Sequence, residues 1–433
     1  MQIQGKLCET GQAATVTIEG SQIVAVETAD GGMGKLDVAT RPVAHPLRGY
    51  PPRRPVSERS DVWIAPGFID LQLNGYGGFD FNRRLWREAP PADAVTRIVD
   101  LAARAGTAML LPTICTNSHE AMVEGLRDVV RAREADPKLA AAIPAIHVEG
   151  PYLASEDGPR GAHPLEHVRN PDWEEFSRFQ EAAGGLIKLL TLAPEREGAL
   201  SFIEKLAETG VVIAIGHTGA SPEQIRDAVK AGARLSTHLG NGAHAQIARH
   251  PNYIWEQLAC DDLSASIIAD GHHLPASVVK CFARVKGPER LCLVSDAVSL
   301  GGCKPGVYSG GRHEVLPTGK VVLAGTPYLA GAGHLLDTCV ANALRFTDLG
   351  MAGVVRAAAT NPARLLGLDD HKGRVAPGYD ADLTLFRVPE GDGALEIMGT
   401  YRQGERAFGR SGVGAVSSDR SDRSDRADRS LTA

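Results

Sequence analysis

Short apolar runs alternate with amphipathic segments over most of the chain. The apolar runs are typical of buried parallel strands, and the segments between them carry apolar residues at helical spacing. Strands are predicted over residues 108–113, 143–147, 187–192, 211–215, 235–237, 265–269 and 291–294. Helices are predicted over residues 93–105, 118–134, 198–209, 222–231, 275–285, 331–348 and 351–360. Repeated βα units predict an α/β fold, a (β/α)8 TIM-like barrel, and the absence of Gly-x-Gly-x-x-Gly after the first strand disfavours a dinucleotide-binding open sheet.

The two ends of the chain have a different pattern, with short β-rich runs separated by turn residues. Residues 14–19 and 22–27 predict a hairpin, and a strand is predicted through residues 62–71. After residue 368, a turn and strand are predicted over 373–386, followed by strands at 394–399 and 400–406. These end segments are predicted to pair into one small β-sandwich domain beside the barrel.

The patterns divide the chain into four parts. Residues 1–65 and 369–412 are predicted to form the β-sandwich domain, and residues 66–368 the barrel. The segment 41–59, rich in Pro and Arg, is predicted to be an irregular excursion. The tail over residues 413–433 repeats Ser-Asp-Arg with almost no apolar content, which predicts disorder.

Composition narrows the class of protein. The net charge of -6 gives no basic excess, so neither nucleic acid nor an acidic membrane surface is an expected partner. The N-terminus lacks an apolar signal core and no run of about 18 apolar residues occurs, which predicts a cytoplasmic enzyme. The seven Cys include no Cys-x-x-Cys pair, and reduced thiols are expected.

Four polar residues stand at similar places, each just after an apolar run and just before small or turn-forming residues. They are Glu149, His217, His238 and Asp296. Catalytic groups collect at this end of the strands in barrel enzymes. One carboxylate and two imidazoles can bind zinc or ferrous iron and leave an open coordination position. Asp296 is then a candidate general acid/base, although its position fits a helix N-cap equally well.

Further polar residues follow the same strands. His273, in Asp270-Gly271-His272-His273, could polarise a substrate carbonyl or belong to a surface pair. Asn241 and Gly242 could offer amide donors to a substrate, and His163 lies in a loop that could reach the site.

The first barrel strand carries amides where many metal-dependent barrel hydrolases have His-x-His. Gln72 and Asn74 fill those places. Neutral amides are poor zinc ligands beside imidazole and carboxylate, so one metal ion is predicted rather than two.

Taken together, these motifs resemble the N-acetylglucosamine-6-phosphate deacetylase family of the amidohydrolase superfamily. The resemblance rests on residues 66–75, 147–152, 216–218, 237–239, 269–273, 295–297, 361–363 and 373–383, and it covers nearly the whole chain except the tail and the excursion. It implies a distorted barrel with a β-sandwich, a homodimer, and hydrolysis of the acetyl amide of an amino-sugar phosphate.

The resemblance also implies a role for each candidate residue. Glu149, His217 and His238 would hold one divalent zinc or iron ion, and Asp296 would be the proton shuttle. The substrate-binding set implied by the family comprises His163, His273, Asn241 and Gly242.

The loop after His238 departs from the family pattern. The family usually has Thr-His-Leu-Phe-Asn-Ala-Met followed by a phosphate-binding Arg, whereas this chain has Gly240-Asn241-Gly242. Arg249 is the nearest basic candidate for the phosphate. A deacetylase of an unphosphorylated amino sugar, or another N-acyl hydrolase such as an N-acyl-D-amino acid deacylase, therefore stays an alternative. A catalytically silent binding relative is disfavoured by the intact ligand set.

Overall fold

The computed structural model describes residues 1–28, 61–83, 92–326 and 328–410. The excursion predicted over residues 41–59 and the tail predicted over residues 413–433 lie outside the described residues.

The strands and helices alternate along the middle of the chain. The strands are β1 (Gln2–Leu7), β2 (Ala13–Glu19), β3 (Gln22–Thr28), β4 (Trp63–Pro66), β5 (Phe68–Leu73), β6 (Gly75–Tyr76), β7 (Phe79–Asp80), β8 (Thr107–Cys115), β9 (Ile146–Glu149), β10 (Ile187–Leu192), β11 (Val212–Ile215), β12 (Ala233–Ser236), β13 (Ser264–Ile267), β14 (Leu291–Leu293), β15 (Gly306–Tyr308), β16 (His313–Val315), β17 (Val321–Leu323), β18 (Leu383–Arg387), β19 (Glu396–Arg402) and β20 (Glu405–Gly409). The α-helices are α1 (Ala94–Arg104), α2 (His119–Ala135), α3 (Pro137–Ala142), α4 (Trp173–Ala182), α5 (Ala199–Ala207), α6 (Pro222–Ala231), α7 (Tyr253–Ala259), α8 (Ala276–Arg290), α9 (Leu336–Phe346), α10 (Gly350–Val355) and α11 (Asn361–Leu365).

Eight parallel strands form the predicted barrel, in the order β14, β13, β12, β11, β10, β9, β8 and β5. The first and last strands meet just beyond their carboxyl ends. There the Asp296 amide donates to the Gln72 carbonyl at 2.9 Å, and the Asn74 amide donates to the Ala297 carbonyl at 2.9 Å. The (β/α)8 architecture predicted from the alternation of strands and helices is confirmed.

The two chain ends build the predicted β domain. Its sheet has seven strands in the order β20, β19, β18, β4, β1, β2 and β3, so strands from the C-terminal part pair with strands from the N-terminal part through β4. The apolar face of this sheet buries a separate cluster that includes Val16, Ile23, Ile64 and Leu385. Both chain ends are therefore needed to complete one core.

The single strand predicted through residues 62–71 is two strands in two sheets. The chain passes from β4 to β5 at Gly67, whose amide donates to the Asp382 carbonyl at 2.8 Å. A Cβ atom on Gly67 would lie 2.4 Å from the Ala108 Cβ, so a side chain there would collide with β8. The apolar run conceals the break because the residues on both sides of it are buried.

Local capping residues define both ends of helix α6. Helix α6, which matches the predicted range, starts with Ser221 and Gln224 in a capping box and ends at Gly232, whose φ of 130° disfavours other residues. Its buried face includes Ile225 and Val229, and each apolar side chain of this size contributes about 1.5–3 kcal/mol when fully buried. Among the described helices, none has both the length and the apolar character to cross a bilayer.

A three-stranded antiparallel sheet lies between β14 and α9 and has no counterpart among the predicted elements. It consists of β15, β16 and β17 in sequence order. The helix predicted to begin at residue 331 begins instead at Leu336, because residues 329–332 are extended: Leu329 and Ala332 form isolated bridges to Val322 and Ala297.

Candidate active site

The four strand-end residues gather at the carboxyl end of the barrel. Glu149 is the last residue of β9, and His217 and His238 follow the ends of β11 and β12 by two residues. Asp296 follows β14 in the segment that closes the barrel. Because parallel strands all end at the same rim, residues spread over about 150 positions of the chain come together there.

The three predicted ligands point their donor atoms at one place. His238 Nε2 lies 3.0 Å from Glu149 Oε1 and 3.0 Å from His217 Nε2, and His217 Nε2 lies 3.2 Å from Glu149 Oε1. Around a metal ion with bonds of about 2.0–2.1 Å, neighbouring donor atoms lie about 3.0–3.4 Å apart. All three side chains are buried, and the set can hold one metal ion.

The contacts behind the ligands orient them for this task. His217 Nδ1 donates to the Pro159 carbonyl at 2.9 Å, so in the neutral ring Nε2 keeps its lone pair for the metal position. Gln72 Nε2 donates to Glu149 Oε1 at 2.8 Å and holds the carboxylate in place. A Cβ atom on Gly242 would lie 2.6 Å from His217 Nδ1, so glycine is required there for the ring to fit.

Electrostatics keep Glu149 in its charged, ligating form. Burial acts to raise the pKa of Glu149, but its close contacts with the His217 and His238 rings outweigh burial and hold the pKa well below its ordinary value. The carboxylate that a metal ion needs is therefore present at neutral pH.

Three of the four residues have a left-handed backbone, which is uncommon outside glycine. The φ angles are 50° at His217, 29° at His238 and 48° at Asp296. Such conformations cost on the order of 1–3 kcal/mol each and cluster at functional sites. The sharp turns after the strands aim these side chains inward over the barrel rim.

The turn that carries Asp296 is fixed by residues of β5, the strand that meets β14 where the barrel closes. Ser295 donates from its amide to Asp70 Oδ1 at 3.1 Å and from its hydroxyl to Asp70 Oδ2. Burial raises the pKa of Asp70 to about 7. Asn74 Nδ2 donates to Asp296 Oδ1 at 2.7 Å and so orients the candidate proton shuttle directly.

Asp296 itself is suited to exchange protons. Burial, with the nearby Glu149 carboxylate, raises its pKa. The alternative interpretation of Asp296 as a helix N-cap does not match the structure, because Ala297 forms bridges to Leu73 and Ala332 and the next described α-helix begins at Leu336.

Two further histidines reach the same place. His273 Nδ1 lies 2.8 Å from Asp270 Oδ2, and only 6% of the His273 side chain is exposed, so it is not half of a surface pair. Hydrogen bonds from His273 overcome the effect of burial and lower the pKa of Asp270 to about 2. His163 Nε2 lies 3.2 Å from His217 Nε2.

A cavity of about 450 Å³ opens above these residues. Its lining includes the three ligand candidates and Asp296, and also His163, Asn241, Gly242 and His273 from the predicted substrate set. Arg249 is exposed and does not line the cavity, so the structure does not bring it to the other predicted residues.

The cavity also contains residues that the sequence analysis missed. Cys115, the last residue of β8, donates from its thiol to Asn74 Oδ1 at 2.8 Å, and its strand-end position was the available clue. Ser309, Arg312 and His313 come from the β15–β17 sheet. The pair of glycines between two short β runs was a hairpin pattern that could have located them.

Known proteins resemble this chain in sequence and in architecture. The model of the amidohydrolase family matches residues 63–406. The chain belongs to the amidohydrolase family. The family resemblance inferred from the strand-end motifs is thereby confirmed.

Several relatives of this amidohydrolase have named activities. It is 32% identical over 367 residues to N-acetylglucosamine-6-phosphate deacetylase of Bacillus subtilis, covering 82% of this chain and 88% of that protein. It is 30% identical to N-acetylgalactosamine-6-phosphate deacetylase of Escherichia coli O157:H7, covering 81% of this chain and 89% of that one.

The solved structures agree with the sequence relatives. N-acetyl-D-glucosamine-6-phosphate deacetylase of Mycobacterium smegmatis superposes with a TM-score of 0.77 at 29% identity, covering 94% of this chain and 100% of the other. An Asp-to-Ala variant of that enzyme has been solved in complex with N-acetyl-D-glucosamine-6-phosphate.

Proposed function

We propose that this amidohydrolase removes the acetyl group of N-acetylglucosamine 6-phosphate, giving glucosamine 6-phosphate and acetate in amino-sugar catabolism. The observation that carries the proposal is the convergence of Glu149, His217 and His238 on one point, with Asp296 and His273 lining the same cavity. The named activities of the relatives supply the substrate class.

One divalent ion, zinc or ferrous iron, fits the donor set. Glu149, His217 and His238 would hold it, since their donor atoms are already spaced as ligands of a single ion. When bound, such an ion acts as a Lewis acid on a carbonyl oxygen and makes water nucleophilic at neutral pH.

Asp296 moves the proton in the reaction. Its carboxylate accepts a proton from the attacking water as the water oxygen bonds to the acetyl carbon. It then gives that proton to the amide nitrogen as the C–N bond breaks, so the neutral amine leaves and acetic acid forms, which loses its remaining proton to water as acetate. Asn74 keeps the carboxylate directed at this position.

His273 binds the acetyl oxygen. Asp270 holds the imidazole from the Nδ1 side, and the ring lines the cavity, where it can donate to the substrate. Negative charge grows on the acetyl oxygen as water attacks, and a fixed donor stabilises that charge more than it stabilises the substrate. His163, Asn241 and Gly242, which also line the cavity, contact the sugar.

The enzyme is proposed to act in the cytoplasm as a homodimer. Both statements come from the family resemblance.

The test is acetate release from N-acetylglucosamine 6-phosphate, its galactosamine epimer, unphosphorylated N-acetylglucosamine and an N-acyl-D-amino acid, with metal content measured on the same sample. We expect the 6-phosphate sugars to be hydrolysed far faster than the other two and one metal ion per chain to be bound. Acetate release only from the acyl amino acid, with metal bound, would overturn the proposal in favour of a different amidohydrolase.

A further inference from the structure

The barrel closes at a seam, which consists of residues 70–74 on one side and residues 295–297 on the other. Within the part of the chain that the structure describes, β5 and β14 share no continuous strand ladder. Leu73 and Ala297 form only an isolated parallel bridge across the seam. The position of the turn that carries Asp296 therefore depends on contacts other than regular strand pairing.

Asp70 is a side chain that crosses this seam. Its Oδ1 accepts hydrogen bonds from the Ser295 amide at 3.1 Å and from the Gln72 amide at 3.2 Å, and its Oδ2 accepts from the Ser295 hydroxyl. Asp70 is 1% exposed and Ser295 is 0% exposed, so water does not compete for these hydrogen bonds. One buried carboxylate thus ties the residue before Asp296 to the backbone of β5.

Each side of the seam carries a residue of the candidate site. Ser295 immediately precedes Asp296, whose φ of 48° must be maintained by its surroundings. On the other side, Asn74 Nδ2 donates to Asp296 Oδ1 at 2.7 Å. Because Asn74 and Asp296 lie on opposite sides of the seam, their contact requires that the two sides keep their relative position.

The bridge does not require a permanent charge on Asp70. Burial raises the pKa of Asp70 to about 7, so both protonation forms occur near neutral pH. The ionised carboxylate accepts the three hydrogen bonds. A protonated carboxyl group can instead donate to the Ser295 hydroxyl, which then donates to the Gln72 carbonyl at 3.3 Å. The same geometry is therefore compatible with both forms.

We propose that Asp70 is a positioning residue for catalysis: through Ser295 it holds the turn of Asp296, so that this carboxylate faces the reacting amide. The inference rests on the role of Asp296 in the proposed deacetylase function. Asp70 is not among the described residues that line the cavity, so it acts through its neighbours rather than on the substrate. Its loss should lower kcat and leave KM unchanged.

The experiment is a double-mutant cycle between Asp70→Ala and Asp296→Asn. It measures kcat and KM of the metal-loaded proteins with whichever of the four candidate amides the wild type hydrolyses fastest. Asp70→Ala is expected to lower kcat about 10- to 100-fold, since a displacement of about 1 Å at a catalytic group has effects of this size. In the Asp296→Asn background it should change kcat less than about threefold, because the group that it misplaces no longer transfers a proton.

Two milder variants test the geometry of the bridge. Asp70→Asn keeps an oxygen that accepts from the Ser295 and Gln72 amides, and its amide nitrogen can donate to the Ser295 hydroxyl. It should therefore retain most of kcat. Ser295→Ala removes the hydroxyl contact alone and should lower kcat about 10-fold or less, the usual weight of one hydrogen bond. Ser295→Ala also replaces Asp70→Ala in the cycle if the latter does not fold.

A buried carboxylate elsewhere serves as the matched control. Asp382 is 4% exposed and accepts from Lys372 Nζ at 2.7 Å, at the junction between the barrel and the β domain. Asp382→Ala should lower the midpoint of denaturant unfolding and leave kcat per folded molecule as in the wild type. A crystal structure of Asp70→Ala should show the contact between Asn74 and Asp296 lengthened beyond 2.7 Å.

The outcomes separate this inference from the proposed function. An unchanged kcat in Asp70→Ala, an equal loss in both backgrounds, or a loss in Asp70→Asn as large as in Asp70→Ala would overturn the positioning role while the deacetylase stands. Full activity in Asp296→Asn, or a wild type that hydrolyses none of the amides, would overturn the proposed function and the inference with it.

Discussion

Buried charges occur in two regions of this molecule, and the two regions treat them differently. Where the barrel meets the β domain, Lys372 Nζ lies 2.7 Å from Asp380 and 2.7 Å from Asp382. Arg402 is buried there as well, and its Nε donates to the Ala108 carbonyl at 2.6 Å. Each of these cations is matched by fixed partners with ordinary backbone geometry.

At the carboxyl end of the barrel the charges are arranged around an opening. The Glu149 carboxylate faces two imidazoles, and Asp296 stands across the cavity on a left-handed turn. In the described structure His238 Nδ1 has no hydrogen-bond partner although it is buried. The comparison indicates that the buried charges between the barrel and the β domain stabilise the fold. The charged groups at the carboxyl end of the barrel, in contrast, are held in strained conformations that suit ligand binding.

Of the substitutions that test this comparison, Asp296→Asn is expected to have the largest effect. The amide keeps the size of the side chain and can still accept the hydrogen bond from Asn74, but it cannot take up a proton. We expect kcat to fall about 10²- to 10⁴-fold, the usual contribution of a general acid/base. Metal content should stay unchanged, because Asp296 is outside the ligand set.

Steady-state assays and metal analysis on one sample check this expectation. Asp337→Asn is the matched control, since Asp337, like Asp296, is half-buried but lies outside the cavity. Full activity in Asp296→Asn would remove Asp296 from the mechanism.

A substitution between the barrel and the β domain should lower the free energy of unfolding and leave catalysis unchanged. In Lys372→Met two carboxylates, Asp380 and Asp382, lose their cation in a largely buried place. Removing one partner of a buried charge network costs about 3–5 kcal/mol, so the midpoint of denaturant unfolding should fall clearly. The value of kcat/KM per folded molecule should not change.

An exposed ion pair gives the matched control. Lys138 and Glu405 are 3.6 Å apart with both side chains mostly in solvent, and Lys138→Met should cost less than about 1 kcal/mol. If Lys372→Met is no more destabilising than Lys138→Met, the junction does not depend on its buried charges as inferred.

The smallest of the three expected effects concerns a contact that supports one of the metal ligand candidates. Gln72→Leu removes the amide that donates to Glu149 Oε1 at 2.8 Å. Loss of such a supporting contact typically weakens metal affinity about 10- to 100-fold, which competition with a chelator can measure. Gln257→Leu changes a buried glutamine that bonds to the Tyr253 carbonyl instead, and it should leave metal affinity as in the wild type.

Local pattern located much of the candidate site. Glu149, His217, His238 and Asp296 could be found because each follows an apolar run, and a strand end is a property of a few neighbouring residues. The range of α6 was predicted correctly for the same reason, since Ser221, Gln224 and Gly232 define its ends by themselves.

Other features depended on contacts between distant parts of the chain. The break at Gly67 arises because β8 and the strand after Asp382 approach it from two sides. Asp70 supports Ser295 across 225 positions, and no local pattern reveals that partnership. The β15–β17 sheet brings Arg312 to the cavity, while Arg249, nearer in sequence to His238, remains exposed.

By itself, therefore, the sequence determined the barrel, the β domain built from both chain ends, and the residue types available for metal binding and proton transfer. These follow from periodicity and strand ends, which are short-range properties. Only the tertiary structure decided which donor atoms meet at about 3 Å, which amides support them, and which cation lines the cavity. Those distances depend on barrel closure and on the placement of an inserted sheet, which are set by packing across the whole domain.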